Sequence, residues 1–181
     1  MSSLFVLGGA RSGKSRHAVA VQPPRARVTF IATAQAGDGD MAARIARHRA
    51  ERPSHWTTIE EPLDVAARLC ALRGADAILV DCVTVWVANL MLRGDADEAI
   101  LGAADTVARL LPACAFDVTL VSNEVGEGVH PETEAGLRFR DLLGSVNQRL
   151  AAACDRVVLM VAGLPLVLKT PSARVDAVQA P

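Results

Sequence analysis

Short apolar runs alternate with segments of helical periodicity along the whole chain. Five runs rich in Val, Ile and Leu carry no polar alternation: Ser3–Leu7, Arg27–Thr33, Ala77–Asp81, Asp117–Ser122 and Arg156–Ala162. They are predicted to be strands buried on both faces, as in a parallel sheet covered by helices. Between them the spacing predicts helices over Lys14–Val21, Asp40–Arg49, Leu63–Leu72, Val83–Leu92, Asp97–Leu111 and Glu134–Ala153. Pro62 suits the first turn of the third of these, and Gly94 follows the fourth where a stop is expected. Regular β/α alternation implies an α/β fold with a doubly wound, mostly parallel sheet flanked by helices. Ligand should then sit beyond the carboxyl ends of the strands. No repeat or low-complexity tract interrupts the pattern, and only the last dozen residues read as weakly structured.

Composition narrows this picture. A chain of 181 residues suits one domain spanning 1–181, and 51% hydrophobic residues with only 3% aromatics imply an aliphatic core. A net charge of −1 gives no electrostatic case for nucleic acid or an anionic membrane as partner. The longest apolar run, Val157–Leu168, is broken by Gly163 and Pro165 and is too short to span a bilayer, so no membrane insertion is expected. The N-terminus enters the first strand directly, and a cytoplasmic protein without a signal peptide is expected. Cys70, Cys82, Cys114 and Cys154 form no C-x-x-C pair and read as small buried hydrophobes in a reducing compartment.

The candidate chemistry starts in the first turn. Gly8-Gly9-Ala10-Arg11-Ser12-Gly13-Lys14-Ser15 matches G-x-x-x-x-G-K-[ST] at every fixed position, between a predicted strand and a predicted helix. Loop N–H groups and the helix N-terminus would point at one anion. Lys14, expected to be an exposed loop lysine, would reach the β- and γ-phosphates, and the Ser15 hydroxyl would hold Mg²⁺. The chain is therefore expected to bind a nucleoside triphosphate.

Three further segments carry candidate roles. The run Ala77–Asp81 ends in a carboxylate that could hold Mg²⁺ opposite Ser15, or could cap the helix that follows. Asn123-Glu124-Val125-Gly126-Glu127-Gly128 reads either as a ligand-facing loop or as an ordinary turn before the long helix. The segment Asp40–Arg52 places His48 among Arg44, Arg47, Arg49 and Arg52, with Met41 and Ile45 on its own helical stripe. That spacing suits a core histidine. Clustered arginines also disfavour its protonation, which leaves a neutral imidazole able to act as a nucleophile while the guanidinium groups hold phosphates. No N-K-x-D or D-x-x-G follows the phosphate loop, which disfavours a regulatory GTPase switch.

Taken together, these segments resemble the bifunctional adenosylcobinamide kinase / adenosylcobinamide-phosphate guanylyltransferase family. The likeness begins with the loop through Arg16 and continues in Ile31-Ala32-Thr33-Ala34, Met41–Ile45, His48-Arg49, Arg52-Pro53, His55-Trp56 and Thr58–Pro62. It resumes at Asp81–Thr84, Asn89-Leu90, Val121–Gly126, Phe139–Asp141, Val146–Ala151 and Val161–Pro165. The resemblance implies a RecA-like phosphate-loop sheet assembled as a homotrimer. It also implies two reactions: phosphorylation of adenosylcobinamide by ATP or GTP, then transfer of GMP from GTP through a histidine to adenosylcobinamide phosphate. His48 matches the guanylylated histidine of the family. Glu60, Asp81 and the Ala32-Thr33-Ala34 strand end match positions that contact nucleotide or metal, and Arg49 beside His48 is expected to bind nucleotide. The chain departs from the family pattern at Arg47, where a second histidine is expected, and at His130, where an aliphatic residue is usual. A single-function kinase with a structural His48 and a nucleotide-gated interaction module are the rival readings.

Overall fold

Aliphatic strands without polar alternation can be stable only if both faces are covered, and the fold meets that demand with a single sheet. The computed structural model describes residues 1–35 and 52–171. Its strands are β1 (Ser3–Gly8), β2 (Val28–Ala32), β3 (Thr57–Glu60), β4 (Ala77–Asp81), β5 (Asp117–Val121), β6 (Arg156–Val161) and β7 (Leu164–Lys169). The described helices are α1 (Lys14–Ala20), α2 (Val65–Ala71), α3 (Val83–Arg93), α4 (Asp97–Leu110) and α5 (Glu134–Ala153). The predicted helix Asp40–Arg49 lies outside the described residues.

The strand order is β3-β2-β4-β5-β1-β6-β7, parallel throughout except for the β6–β7 pair. Successive residues feed opposite faces, as strand geometry requires. Phe5, Leu7, Ile31, Ile78, Val80, Val118 and Leu120 join a core with α2, α3, α4 and α5. Val6, Phe30, Ala32, Leu79, Val121, Val158 and Met160 join a smaller core with Ala18 of α1.

Two strands were not predicted. β3 is four residues long, Thr-Thr-Ile-Glu, and mostly half-exposed at the sheet edge, so it carries no apolar run to read. β7 follows a two-residue turn in which Ala162 and Gly163 both have positive φ, the geometry of a tight hairpin. Its Pro165 reads as a strand breaker in sequence but is tolerated on an edge. The run Arg156–Ala162 departs from the expectation of burial at Arg156 and Val161, which are exposed, and β7 leaves Leu164, Leu166, Val167 and Leu168 exposed as well.

The helix predicted from Leu63 begins instead at Val65. Asp64 caps it, accepting from the Ala67 N–H at 2.9 Å, and Pro62 lies ahead of the helix rather than in its first turn. Gly94 ends α3 in the left-handed region, as expected. Of the four cysteines read as buried, only Cys154 is: Cys82 and Cys114 are half-buried and Cys70 is exposed. Burial pushes the Cys154 thiol up to about 12 and the Cys82 thiol up to about 11, the latter with help from the neighbouring Asp81 charge. Both are poor nucleophiles. No helix among the described residues is long and apolar enough to cross a membrane.

Candidate nucleotide-binding site

The phosphate loop grows directly out of β1. Gly8 ends the strand with φ +149°, Arg11 and Gly13 take left-handed conformations, and Gly13 is the residue from which α1 departs. A Cβ on Gly8 would lie 2.5 Å from the Met160 carbonyl oxygen and 2.7 Å from Ser12 Oγ, so only glycine fits there. The turn closes with Ser12 N–H donating to the Gly9 carbonyl at 3.3 Å. From the other side the β6–β7 turn braces it, Gly163 N–H donating to the Ser12 carbonyl at 3.0 Å.

Lys14 is buried, which corrects the expectation of an exposed loop lysine. Its Nζ donates to the Gly9 carbonyl at 2.6 Å, so the ammonium is held over the turn that would cradle phosphate. Ser12 Oγ is buried and has no hydrogen-bond partner among the described residues. A left-handed glycine turn, an ammonium folded over it and an orphaned hydroxyl beneath it together fit a phosphate-binding cradle. α1 packs across β1, β5 and β4, so Ser15 at its start and Asp81 at the end of β4 lie on the same, carboxyl side of the sheet. A hydroxyl and a carboxylate of this kind suit Mg²⁺, whose ligands are hard oxygens, with phosphate oxygens completing its shell.

The other predicted residues form a second group. Register places Glu60 beside Ala32 and Ala32 beside Asp81, in one row across β3, β2 and β4. Four strand steps separate Glu60 from β1, roughly 19 Å at the usual spacing of about 4.8 Å. The sheet alone does not bring Glu60 to the loop. Thr33 is fully buried and committed to Cys82, its hydroxyl donating to the Cys82 carbonyl and accepting from the Cys82 N–H, both at 2.8 Å. Asn89 then ties this row to the next loop, its amide donating to the carbonyls of Thr33 at 2.8 Å and Pro62 at 3.1 Å.

Beside Glu60, Glu61 has a structural job. Its carboxylate accepts from the N–H groups of Leu63 and Asp64 and pairs with Arg68 at 3.0 Å. Burial would raise its pKa, but the Asp64 N–H, the Arg68 guanidinium and the Leu63 N–H together hold it below the ordinary value.

His48, Arg44, Arg47 and Arg49 lie outside the described residues. Arg52 is described and is engaged with the sheet: its guanidinium stacks 3.3 Å from the centroid of the Phe30 ring and donates to Thr58 Oγ1 at 3.3 Å. The three other histidines have local roles. His17 sits on α1 with its pKa lowered by burial and by Arg156. His55 lines a cavity of about 310 Å³ at the amino ends of the strands, away from the loop. His130 Nδ1 meets Arg140 Nη1 at 2.9 Å.

Sequence reasoning did not single out Ser122, Thr84 or the Asn147 amide as a unit, although all three lie within segments that carried the resemblance. They form a buried polar cluster behind the Asn123-Glu124 loop, and the Glu124 N–H donates to the Gly8 carbonyl at 3.1 Å.

Comparison with known proteins agrees with this geometry. Residues 4–168 match the family model described as cobinamide kinase / cobinamide phosphate guanyltransferase. The bifunctional adenosylcobalamin biosynthesis protein CobP of Pseudomonas aeruginosa is 48% identical, over 91% of this chain and 96% of its own length. The corresponding CobU protein of Salmonella typhimurium is 44% identical, over 92% of this chain and 99% of its own. Among solved structures, a type III secretion ATPase aligns with TM-score 0.56 at 10% identity, over 92% of this chain and 56% of that one. A KaiC-like protein from Pyrococcus horikoshii aligns with TM-score 0.51 at 12% identity, over 87% of this chain and 70% of that one. These two likenesses bear on the fold alone. Sequence match and sheet topology converge, and the chain belongs to the cobinamide kinase / cobinamide phosphate guanyltransferase family.

Proposed function

We propose that this single domain phosphorylates adenosylcobinamide and then transfers GMP from GTP to adenosylcobinamide phosphate, through a guanylylated His48. The observation that carries the reading is the family match over residues 4–168, which includes the whole phosphate loop. In the kinase step the Gly8–Ser15 turn holds the triphosphate of ATP or GTP, and Lys14 leaves the Gly9 carbonyl to neutralise charge on the transferring phosphoryl. Ser15 and Asp81 would hold Mg²⁺, which supplies further neutralisation of phosphate charge when bound. Ala10, Arg11, Ala32, Thr33, Ala34, Arg49 and Glu60 complete the nucleotide contacts in this reading, Thr33 through its backbone because its hydroxyl is held by Cys82.

In the second step the neutral His48 imidazole attacks the α-phosphorus of GTP and pyrophosphate leaves. The phosphate of the corrinoid then attacks the same phosphorus and frees the imidazole. The reading includes a homotrimer in the cytoplasm. Light scattering at micromolar concentration tests the assembly, and a stable monomer would remove it.

The deciding experiment is incubation with α-labelled GTP and Mg²⁺ without corrinoid, followed by peptide mapping. Label on His48, labile in acid and stable in base, is expected, and His48→Ala should lose it while keeping cobinamide phosphorylation. Label on another residue refutes the proposed intermediate. No label at all, with phosphorylation intact, favours the single-function kinase.

A further inference from the structure

Asn147 is a polar residue on the buried face of α5, among Leu142, Leu143, Val146 and Leu150, and only 5% of it is exposed. A primary amide in such a place is tolerated when both its ends are hydrogen-bonded. Both are. Ser122 Oγ donates to Asn147 Oδ1 at 2.7 Å, and Asn147 Nδ2 donates to the Asn123 carbonyl at 3.0 Å. The Asn123 N–H in turn donates to Thr84 Oγ1 at 2.7 Å. The backbone of Asn123 is thus gripped at its N–H from α3 and at its carbonyl from α5. The next N–H, that of Glu124, donates to the carbonyl of Gly8 at 3.1 Å.

We infer that Asn147 is a positioning residue for the nucleotide site, fixing the peptide after β5 so that it holds the first glycine of the phosphate loop in place. The inference rests on the reading of Gly8–Ser15 as the site of a nucleoside triphosphate. Asn147 touches no residue of that loop itself among its hydrogen bonds; it acts through Asn123 and Glu124. On its other side Gly8 is paired in register with Met160 of β6, close enough that a Cβ on Gly8 would lie 2.5 Å from the Met160 carbonyl oxygen. A shift of the Asn123 peptide therefore passes to the loop rather than dissipating. Displacements of about 1 Å at a site of this kind change function on the order of a hundredfold.

The position needs one group that accepts from Ser122 and donates to Asn123, and this makes the inference testable. Asn147→Asp keeps the shape. When ionised it is acceptor-only and faces the Asn123 carbonyl with charge; when protonated it restores the donor. Burial and the facing carbonyl raise the pKa of the introduced carboxyl. The two groups bonded to Asn147, Ser122 and Asn123, are uncharged. Of the charged residues nearest in sequence to these groups, Glu124 turns its carboxylate to the Gly126 N–H at 2.8 Å, and Arg149 pairs with Asp105 at 3.1 Å.

The experiment measures the affinity of a fluorescent ATP analogue with Mg²⁺ across roughly pH 5–9, always as the ratio of variant to wild type. Dividing by wild type cancels titration of the nucleotide phosphate, and binding needs no corrinoid. Asn147→Asp should bind within about threefold of wild type at the acid end and lose on the order of tenfold or more at the alkaline end. Ser122→Ala, which leaves the bond to Asn123, should show a smaller, pH-independent loss. A flat ratio for Asn147→Asp, with melting showing the variant folded, overturns the inference while leaving the proposed function standing. A wild-type protein with no affinity for ATP or GTP overturns both. Should Asn147→Asp unfold at alkaline pH, binding at the acid end and a normal kcat for the folded Ser122→Ala variant would confine Asn147 to a packing role.

Discussion

Gly8 and Gly9 are adjacent, yet their surroundings predict opposite outcomes for the same substitution. In Gly8→Ala the new Cβ meets the Met160 carbonyl oxygen at 2.5 Å, Ser12 Oγ at 2.7 Å and Met160 Cβ at 3.2 Å, at a backbone φ of +149°. The dihedral alone costs about 1–3 kcal/mol for a residue with a Cβ. The Ser12 hydroxyl can rotate away, but the Met160 carbonyl belongs to β6 and is paired in register with Gly8 itself. Relieving that contact means parting β1 from β6, another 1–3 kcal/mol or so on the scale of overpacked cores. A loss of about 4 kcal/mol lowers Tm by roughly 8–16 °C in a chain of this size. In Gly9→Ala nothing lies within 4 Å of the added Cβ, and the loss should stay under about 1 kcal/mol. Urea denaturation of both variants and wild type, with nucleotide titration of the folded protein, decides the matter. If the two alanines cost the same, the loop needs glycine for chain freedom and the packing argument against β6 is wrong. If Gly8→Ala stays within about 1 kcal/mol of wild type, the close contact does not govern the loop.

Lys14→Ala should reduce cobinamide phosphorylation by at least about a hundredfold, because it removes charge stabilisation of the transferring phosphoryl. Because Lys14 is buried on the Gly9 carbonyl, the same variant should also lose about 1 kcal/mol in denaturant titration, where an exposed lysine would lose nothing. Asp155 accepts from the Ser3 hydroxyl and N–H, both at 2.8 Å, and these bonds hold its pKa below the ordinary carboxylate value. A folded pKa below the unfolded one gives stability that is complete above the unfolded value, about 3.9, and is lost as pH falls through the folded one. Asp155 is exposed, so solvent screening limits the gain over Asp155→Asn to about 0.5–1 kcal/mol near neutrality, and the two melting curves should converge in acid.

The strands that could be read from the sequence are those whose two faces are both buried. Ala77–Asp81 and the helix Glu134–Ala153 have the bounds predicted for them, because a continuous aliphatic run and a long 3.6-residue stripe are unambiguous signals. β3 and β7 escaped because edges relax the requirement for apolar side chains: one is polar, and the other carries a proline and leaves its leucines in water. The turn Gly8–Ser15 was legible in its place between β1 and α1 and in its glycine positions, but not the burial of Lys14 on the Gly9 carbonyl. The roles of Thr33 and Asn147 were not. Each depends on a hydrogen bond to a distant segment, Cys82 in one case and Ser122 with Asn123 in the other, and no local pattern encodes such partners. The helix Val83–Leu92 is apolar in sequence on almost every face. In the structure Val83, Trp86, Val87 and Leu90 are spent on the core of one chain, with the Trp86 indole donating to the Leu63 carbonyl at 2.7 Å.

The strand that carries the phosphate loop precedes both of its sheet neighbours by more than a hundred residues. Ser3 pairs with Val118 of β5, and Leu4 with Arg156 of β6. A nascent chain emerging from the ribosome at about 5–20 residues per second holds β1 without either partner for several seconds. Through that interval Phe5, Val6 and Leu7 have no sheet to enter, and the Gly8 carbonyl has no Glu124 N–H to accept. A product truncated before β5 would carry the complete loop sequence without the strands and the Glu124 N–H that hold its shape in the folded chain.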